Sequence, residues 1–278
     1  VANQSTAELR WYLFGSNQFG GGVSNAHNGV MAYEHAYQGV EARKAYFFMG
    51  DAMVCMGSGI KAARTQEVRT SVNQCLANGE VTYGLSGHTY RLMDNLSDKK
   101  IDWAYHDNVG YIFPQNESVT LRKAKQTGAW RELEVTASDK PVTKEIFSLW
   151  VSHGTTPQHE DYCYIIMPDK PLSYFTDKKF ENEIKIIVNS EQIQAISNEN
   201  KRQYAAVFYE PGEIRFAEDL VVAVNKKVII YIEKKDKQYE IAVADPLYKE
   251  QSLQLSMNGE QINIVFPSGD YSGSSVIK

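Results

Sequence analysis

Cysteine is scarce in this 278-residue sequence, and its spacing excludes two common kinds of site. There are three cysteines, Cys55, Cys75 and Cys163, and an odd number at wide spacing is not a disulfide framework or a multi-cysteine zinc site. Cys55 and Cys163 each lie within an apolar run, so we expect buried small hydrophobes rather than nucleophiles. The sequence also has no Gly-x-Ser-x-Gly elbow.

Long apolar runs and excess positive charge are absent as well. No run approaches the ~20 residues that a membrane-spanning helix needs, so we expect no membrane span. The formal net charge is −5, which argues against general nucleic-acid binding. The chain starts at Val1 rather than methionine, which is typical of a mature or truncated product and leaves its compartment open.

Sustained helical periodicity is the third absence, and it sets the fold class. Apolar residues keep no helical period beyond about two turns, whereas short strands recur about every ten residues from Ile184 onward. We therefore predict an all-β fold of antiparallel sandwiches. The charged connection Leu172 to Glu183 is the best domain boundary, dividing a larger sandwich at 1–177 from a smaller β-domain at 178–278.

The stretch from Phe14 to Ile60 organises the larger unit. It begins with a glycine-rich loop around Gly20–Gly22, and it continues with two apolar runs joined by Gly50-Asp51, a pattern typical of a tight hairpin. Alternation is weak in both runs, so we expect both faces of the hairpin to be covered. Gly57, Ser58 and Gly59 predict a turn that ends the second strand.

Three further local patterns predict turns and edges. Asn78-Gly79 predicts a hairpin turn, and Asp107-Asn108 predicts the turn between strands Ile101–Tyr105 and Val109–Phe113. The basic segment Val119–Lys125 suits a solvated edge strand, since charge guards an edge against pairing. It is also a candidate surface for an anionic polymer, which is the less favoured of the two interpretations.

Seven segments, in order, resemble polysaccharide lyase family 8, which contains hyaluronate, chondroitin and xanthan lyases. They cover roughly the first two-thirds of the chain, and they are Phe19–Ser24, Asn28–Ala32, Ala42–Phe48, Val54–Ile60, Gly110–Pro114, Ser152–Pro157 and Tyr162–Pro168. The resemblance implies the β-sheet portion of such a lyase. It also implies an acidic polysaccharide as the partner and a secreted or periplasmic location.

The same resemblance implies that the catalytic residues lie elsewhere. Family members remove the proton α to a uronate carboxylate and expel the 4-linked sugar by β-elimination. The implied Asn, His, Tyr and Arg sit on an α/α toroid that precedes the sheets, and an assisting Glu lies early in the sheets. We expect this chain to begin after all of them, so that it carries no catalytic residue and its helical catalytic domain is a missing partner.

Candidate sugar-binding residues are Phe19, Asn25 and His27, all near the glycine-rich loop. The resemblance implies an aromatic stacking platform near Phe19, where relatives often carry Trp. His27 lies in a polar segment and is expected to be exposed. The plainer interpretation is that Gly20–Gly22 serve close strand packing or positive φ angles.

The segment His153–Asp161 contains two histidines and two further carboxylates, Glu160 and Asp161, which suggests zinc or calcium. Its spacing matches no familiar ligand pattern, and the family resemblance implies a structural turn there. We therefore expect no metal and no cofactor.

Two functions stay open from the sequence. The first is the supporting β-portion of a uronate-polysaccharide lyase, which forms one wall of the cleft and is inactive alone. The alternative is a free-standing carbohydrate-binding β-sandwich protein, and a preceding helical domain in the full gene distinguishes the two.

Overall fold

The protein is almost entirely built of antiparallel β-sheet, as predicted. A computed structural model describes residues 17–63, 65–115, 117–236 and 238–278. Of these described residues only about 4% are helical, and the one described α-helix, α1, spans Leu172–Thr176. No helix in the described ranges is long and apolar enough to cross a membrane.

The first thirteen strands lie before α1. They are β1 Gly20–Ser24, β2 Gly29–Tyr37, β3 Val40–Met49, β4 Ala52–Ala62, β5 Arg69–Leu76, β6 Val81–Leu85, β7 His88–Arg91, β8 Asn95–Lys100, β9 Trp103–His106, β10 Val109–Ile112, β11 Ser118–Gly128, β12 Val142–Ser152 and β13 Gln158–Pro168.

Ten more strands follow α1. They are β14 Lys185–Asn189, β15 Ile193–Asn198, β16 Gln203–Phe208, β17 Gly212–Ala217, β18 Leu220–Val224, β19 Val228–Lys235, β20 Gln238–Ala244, β21 Ser252–Met257, β22 Glu260–Val265 and β23 Val276–Ile277. Short 3₁₀ turns occur at Trp130–Glu132 and Gly269–Tyr271.

These strands form four sheets that stack as four layers. The nine-stranded sheet has the order β1-β2-β3-β4-β13-β10-β9-β6-β7, and a four-stranded sheet, β5-β12-β11-β8, covers part of one face. The six-stranded sheet, β14-β15-β16-β19-β20-β23, covers the other face. The last layer is the four-stranded sheet β17-β18-β21-β22, which packs on the outer face of the six-stranded sheet.

Each pair of neighbouring layers encloses its own hydrophobic core. The outer core of the first half includes Phe147 and Tyr162, and that of the second half includes Phe208 and Leu255. The middle core joins side chains from both halves, such as Phe47 and Tyr231. Alternate residues of a strand face opposite sides, so the nine-stranded and six-stranded sheets each contribute to two cores.

The middle core crosses the expected domain boundary. Phe175 of α1 is fully buried in it, and its ring lies against Gly110, where a Cβ would collide with that ring. Leu172–Glu183 is thus part of the packing between the halves rather than a free linker. The two sandwiches share one buried interface.

Polar groups tie the same interface together. Gln194 is fully buried, its Nε2 donates to Asn189 Oδ1 at 2.9 Å, and its Oε1 accepts from the Tyr209 hydroxyl at 2.8 Å. Asn189 Nδ2 in turn donates to the carbonyl oxygens of Gly57 and Tyr162 in the nine-stranded sheet. Because each buried polar atom here has a partner, the contact does not carry the cost of an unpaired group.

The predicted hairpin is confirmed, but one of its faces is partly open. Met49 pairs with Ala52 across Gly50-Asp51, and Gly50 has a φ of +58°, a conformation that glycine adopts without strain. Phe47 is fully buried, whereas Phe48 is 43% exposed. The expectation that both faces are covered is therefore wrong for β3 near its end.

Three turn and edge predictions are corrected by the structure. β4 continues through Gly57–Gly59 to Ala62, because these glycines accommodate a ring from β13 and an irregular register rather than a reversal. Asn78-Gly79 connects β5 to β6, which belong to two different sheets, so it does not form a hairpin turn. β11, which contains Val119–Lys125, lies between β12 and β8, so it is not an edge strand.

Other predictions hold. Asp107 and Asn108 both have positive φ and connect the paired strands β9 and β10. The short strands predicted to recur from Ile184 onward are present as β14–β23.

We predict that Phe47→Ala lowers the free energy of unfolding by about 3–5 kcal/mol, because it leaves a cavity in the middle core. The neighbouring Phe48→Ala is the matched control and is expected to cost less than about 1 kcal/mol. Urea unfolding followed by tryptophan fluorescence measures both. Equal costs for the two variants would contradict the described burial.

Candidate functional site

The glycine-rich loop forms β1, which among the described residues is the end strand of the nine-stranded sheet and pairs along its length with β2. A Cβ on Gly22 would come within 2.8 Å of the Val30 carbonyl oxygen, and one on Gly29 within 2.6 Å of the Val23 carbonyl oxygen. Gly20–Gly22 all lack positive φ angles. Gly22 and Gly29 therefore serve close strand packing, the plainer of the two interpretations.

The turn from Asn25 to Asn28 joins β1 to β2 and is closed by side chains. Asn25 Oδ1 accepts hydrogen bonds from the backbone N–H groups of His27 at 3.2 Å and Asn28 at 2.9 Å. Ser24 Oγ accepts from the Ala26 N–H at 3.0 Å. Asn and Ser favour turns through such local bonds, which compete with the strand ladder.

Two hydrogen bonds to residues distant in the sequence hold this turn against the rest of the molecule. Asn25 Nδ2 donates to Glu233 Oε2 at 3.1 Å, which links the turn to β19 of the six-stranded sheet. Asn28 Oδ1 accepts from the Gly50 N–H at 2.8 Å, which links it to the β3–β4 hairpin. The turn is therefore held from two sides.

The three candidate sugar-binding residues have different roles in the structure. Phe19 is 2% exposed, and its ring centroid lies 4.8 Å from that of Tyr209, so it has no free face for stacking on a sugar. Asn25 uses both polar atoms within the protein. His27 is exposed. Contact of these residues with a saccharide stays a prediction, and His27 is the one whose side chain is accessible for it.

A groove of about 320 Å³ runs beside this turn. Its walls include His27, Met31 and Phe48, and the last two are 46% and 43% exposed. Sequence reasoning missed Met31 and Phe48. Strand alternation of β3 was the available signal, because it places Phe47 and Phe48 on opposite faces.

A charged cluster lies on the other side of the nine-stranded sheet, where it meets the six-stranded sheet. The Arg43 guanidinium lies 5.1 Å from the centre of the Tyr209 ring, pairs with Glu34 at 3.3 Å and donates to the Glu191 carbonyl oxygen. Glu191 also hydrogen-bonds His159 and pairs with Lys61, and this hydrogen bond together with the Lys61 ammonium holds the pKa of its carboxyl below the usual value. This cluster holds the first half of the chain, before α1, against the second half, and it does not form an open site.

Within the segment His153–Asp161, His153 makes contacts that hold neighbouring strands in place. His153 Nε2 lies 2.8 Å from Thr70 Oγ1, and its backbone N–H donates to the Val68 carbonyl oxygen, so it anchors β5. Burial, aided by nearby Lys44, lowers the pKa of His153 to about 4 and keeps the ring neutral. Among the residues that the structure describes, no group of three or more His, Cys, Asp or Glu side chains is arranged to hold a metal ion.

Comparison with known families accounts for most of the chain. Residues 2–179 match the model of the polysaccharide lyase family 8 super-sandwich domain, and residues 185–254 match its C-terminal beta-sandwich domain. This chain belongs to polysaccharide lyase family 8.

The proteins most similar to this chain in the comparisons below support this assignment. Chondroitinase-AC of Pedobacter heparinus is 31% identical over 96% of this chain, and xanthan lyase of a Bacillus species is 24% identical over 74%. A solved chondroitinase AC lyase, studied in complexes with oligosaccharides, superimposes with a TM-score of 0.88 at 29% identity over 95% of this chain.

The family 8 match covers only part of the longer relatives. The chain spans 39% of Pedobacter chondroitinase-AC, 23% of the xanthan lyase and 40% of the solved chondroitinase chain. Each of those proteins is therefore more than twice as long as the part that this chain matches.

We predict that Gly22→Ala lowers the free energy of unfolding by about 1–3 kcal/mol, because the added methyl group meets the Val30 carbonyl oxygen. Gly20→Ala is the matched control, since the nearest atom to its Cβ is 3.8 Å away. Thermal and urea denaturation distinguish them. Similar losses at both positions would show that strand distance is not what requires glycine.

We also predict that stability falls as pH drops from about 6.5 towards 4. The folded pKa of His153 is lowered to about 4, so over this range the unfolded state binds the proton and the folded state does not. The stabilisation is present above pH 6.5, and about 2 kcal/mol is lost by pH 4.5. His35 and His106, whose pKa values burial also lowers, act in the same direction.

Urea unfolding of the wild type and His153→Gln at pH 7 and pH 4.5 measures this effect. The variant is expected to lose less stability than the wild type over the interval. An unchanged pH dependence in the variant would exclude His153 as a source.

Proposed function

We propose that this chain is the β-sandwich portion of a lyase that cleaves uronate-containing polysaccharides by β-elimination. The observation that carries this proposal is the match to chondroitinase AC, at 31% sequence identity over 96% of the chain and a TM-score of 0.88. Chondroitin, hyaluronan and xanthan are the candidate substrates, since lyases named for them are its relatives.

The role proposed for this portion is structural. It forms one wall of the substrate cleft and braces the helical catalytic domain, with His27 and the groove beside Met31 and Phe48 facing sugar. The four stacked layers, tied across their middle core, support such a role because a wall must hold its position against a partner domain. We further propose a secreted or periplasmic location, where such polymers are encountered.

The environments of the histidines support inactivity of the isolated chain. β-Elimination needs a base aligned with the proton α to the carboxylate and an acid aligned with the leaving oxygen. His153 contacts Thr70, and His159 contacts Glu191. His106 is 1% exposed, between Cys75 and Phe147.

A developing carboxylate charge also has to be neutralised by preorganised donors. Arg43, whose guanidinium lies over the Tyr209 ring, already pairs with Glu34 and Glu210. The catalytic acid, base and charge-neutralising groups are therefore assigned to the helical domain outside this chain.

The alternative is a free-standing carbohydrate-binding protein. The observation in its favour is that the described residues enclose three hydrophobic cores of their own. The gene distinguishes the two proposals, because only the first requires an encoded helical domain before residue 1.

We predict no turnover when the purified chain is incubated with chondroitin, hyaluronan or xanthan, followed by the ultraviolet absorbance of unsaturated uronate. Activity is expected to appear when a separately made helical domain of the parent is added. The contrary outcome is turnover by the chain alone that His27→Ala abolishes, which would make the chain an enzyme in its own right.

A further inference from the structure

Cys75 differs from the other two cysteines in its accessibility. Cys55 and Cys163 are fully buried, whereas Cys75 lies near the end of β5 and is partly exposed. The Cys75 thiol is therefore the one that a solute can reach while the protein stays folded. What this thiol can do depends on the groups that surround it.

The Cys75 thiol faces a histidine from the opposite sheet. Its Sγ atom lies 3.7 Å from His106 Nδ1. Cys75 belongs to the four-stranded sheet and His106 ends β9 of the nine-stranded sheet, so the pair spans both layers of the first sandwich. Phe147 stands opposite Cys75 in the β5–β12 register, and its ring centroid lies 4.6 Å from that of the imidazole. The sulfur and the nitrogen are thus brought together by packed strands rather than by a loop.

The His106 ring is poorly satisfied for a buried polar group. The residue is 1% exposed, and the hydrogen-bond partner of Nδ1 is the Cys75 sulfur, which bonds only weakly. The Asn78 backbone acts on the pKa of the ring, but Nε2 forms no regular hydrogen bond among the described residues. Most buried polar atoms in proteins have a hydrogen-bond partner. The imidazole is therefore a nitrogen donor aimed at the thiol with little competition from other groups.

The charge states of the two groups argue against a catalytic cysteine–histidine pair. Burial raises the pKa of the Cys75 thiol and lowers the pKa of His106, so both groups are neutral near neutral pH. A nucleophilic pair needs the opposite arrangement, which is a thiolate beside an imidazolium. A neutral thiol beside a neutral imidazole suits metal binding instead, because the ion displaces the thiol proton and the ring already offers a lone pair.

One sulfur and one nitrogen ligand favour a soft metal ion. Thiolate sulfur selects Cu(I) and zinc, and imidazole binds both metals. Zinc, however, takes four protein ligands at structural sites and three at catalytic ones. Among the described residues, no third His, Cys, Asp or Glu side chain completes a metal-binding group with this pair. A soft monovalent ion, which is stable with fewer protein ligands, fits the pair better than zinc does.

The distance between the two ligand atoms also fits an ion. With bonds of about 2.3 Å to sulfur and about 2.0 Å to nitrogen, the observed 3.7 Å corresponds to an angle of about 120° at the metal. That angle is trigonal, so a third position is open on the exposed side of Cys75. Asn73 Nδ2 donates to the same sulfur at 3.6 Å, and this hydrogen bond favours the thiolate that a bound ion requires.

We propose that Cys75 and His106 form a binding site for a soft monovalent metal ion of the Cu(I) class. On binding, the Cys75 thiol releases its proton to solvent, sulfur and His106 Nδ1 each bond to the ion, and the ring proton lies on Nε2. The ion keeps its oxidation state, so the step needs no oxidant or reductant. The bound ion links β5 to β9 and holds the two layers of the first sandwich together at this point. This inference does not depend on the proposed function.

Silver ion, Ag(I), is the probe, because it is a soft monovalent ion that does not change oxidation state in air. The folded chain is titrated with Ag(I), and the loss of reactivity of the accessible thiol towards an aromatic disulfide reagent is followed. We expect saturation at one ion per chain and no protected thiol in Cys75→Ser. Cu(I), added without oxygen, is expected to compete with Ag(I) for the same site.

The histidine ligand is tested in two ways. His106→Gln is expected to weaken Ag(I) binding at least about tenfold, since loss of even an outer partner of a metal ligand costs that much. His88→Gln, at an exposed position of β7, is the matched control with unchanged affinity. Because His106 is buried and its substitution disturbs packing as well, the second measurement uses the wild-type chain with isotope-labelled histidine rings. Ag(I) is expected to shift the Nδ1 resonance of His106 and to leave the other histidines unchanged.

Three results would overturn the site. Protection of the thiol without a change at His106 Nδ1, or equal Ag(I) affinity in the wild type and His106→Gln, would show binding to the thiol alone. Protection by Zn(II) at the same low concentration as Ag(I) would show a site for a harder ion with more ligands. A thiol that stays fully reactive in excess Ag(I) would show that no ion binds there.

Discussion

The contact between the nine-stranded and six-stranded sheets is the constraint on which this structure depends. Each of these sheets packs side chains into a hydrophobic core on both of its faces, so separating the two sheets would expose much apolar surface to water. The polar set around Gln194, Asn189 and Tyr209 fixes how the two sheets are placed, because its bonds are directional whereas apolar packing is not. The turn that carries His27 takes its position from the same contact, through Asn25 and Glu233.

Local sequence was enough to predict the elements that depend on local chemistry. Gly50-Asp51 and Asp107-Asn108 form the turns they predict, because positive φ is a property of a few residue types. The all-β class followed in the same way from strand spacing. The predictions were wrong where a strand's pairing partner is distant in the sequence. Asn78-Gly79 does turn the chain, but β5 pairs with β12 instead of with the strand that follows the turn, and the local sequence does not contain that information.

The candidate site shows the same division. His27 was expected to be exposed from its polar neighbours, and it is. Phe19 was considered as a platform, yet its ring fills space beside Tyr209, a residue 190 positions away that sequence patterns cannot connect to it. The exposure of Met31 and Phe48 was not predicted, for a related reason. Their exposure follows from what does not face them, and a hydrophobic residue in a strand is normally taken to be covered.

The path of the chain between the first two layers has a consequence for how the protein folds. After β4 the chain crosses to the four-stranded sheet for β5, returns for β6 and β7, and repeats this exchange for β8 and for β11–β12 before ending in β13. Neither sheet can form completely before part of the other has formed. β4 gains its second neighbouring strand only from β13, almost a hundred residues later in the sequence. Such non-local pairing makes folding slow and leaves strand edges exposed during synthesis. Productive folding of this protein is therefore expected to depend on conditions that delay aggregation, such as low temperature, dilution or a chaperone.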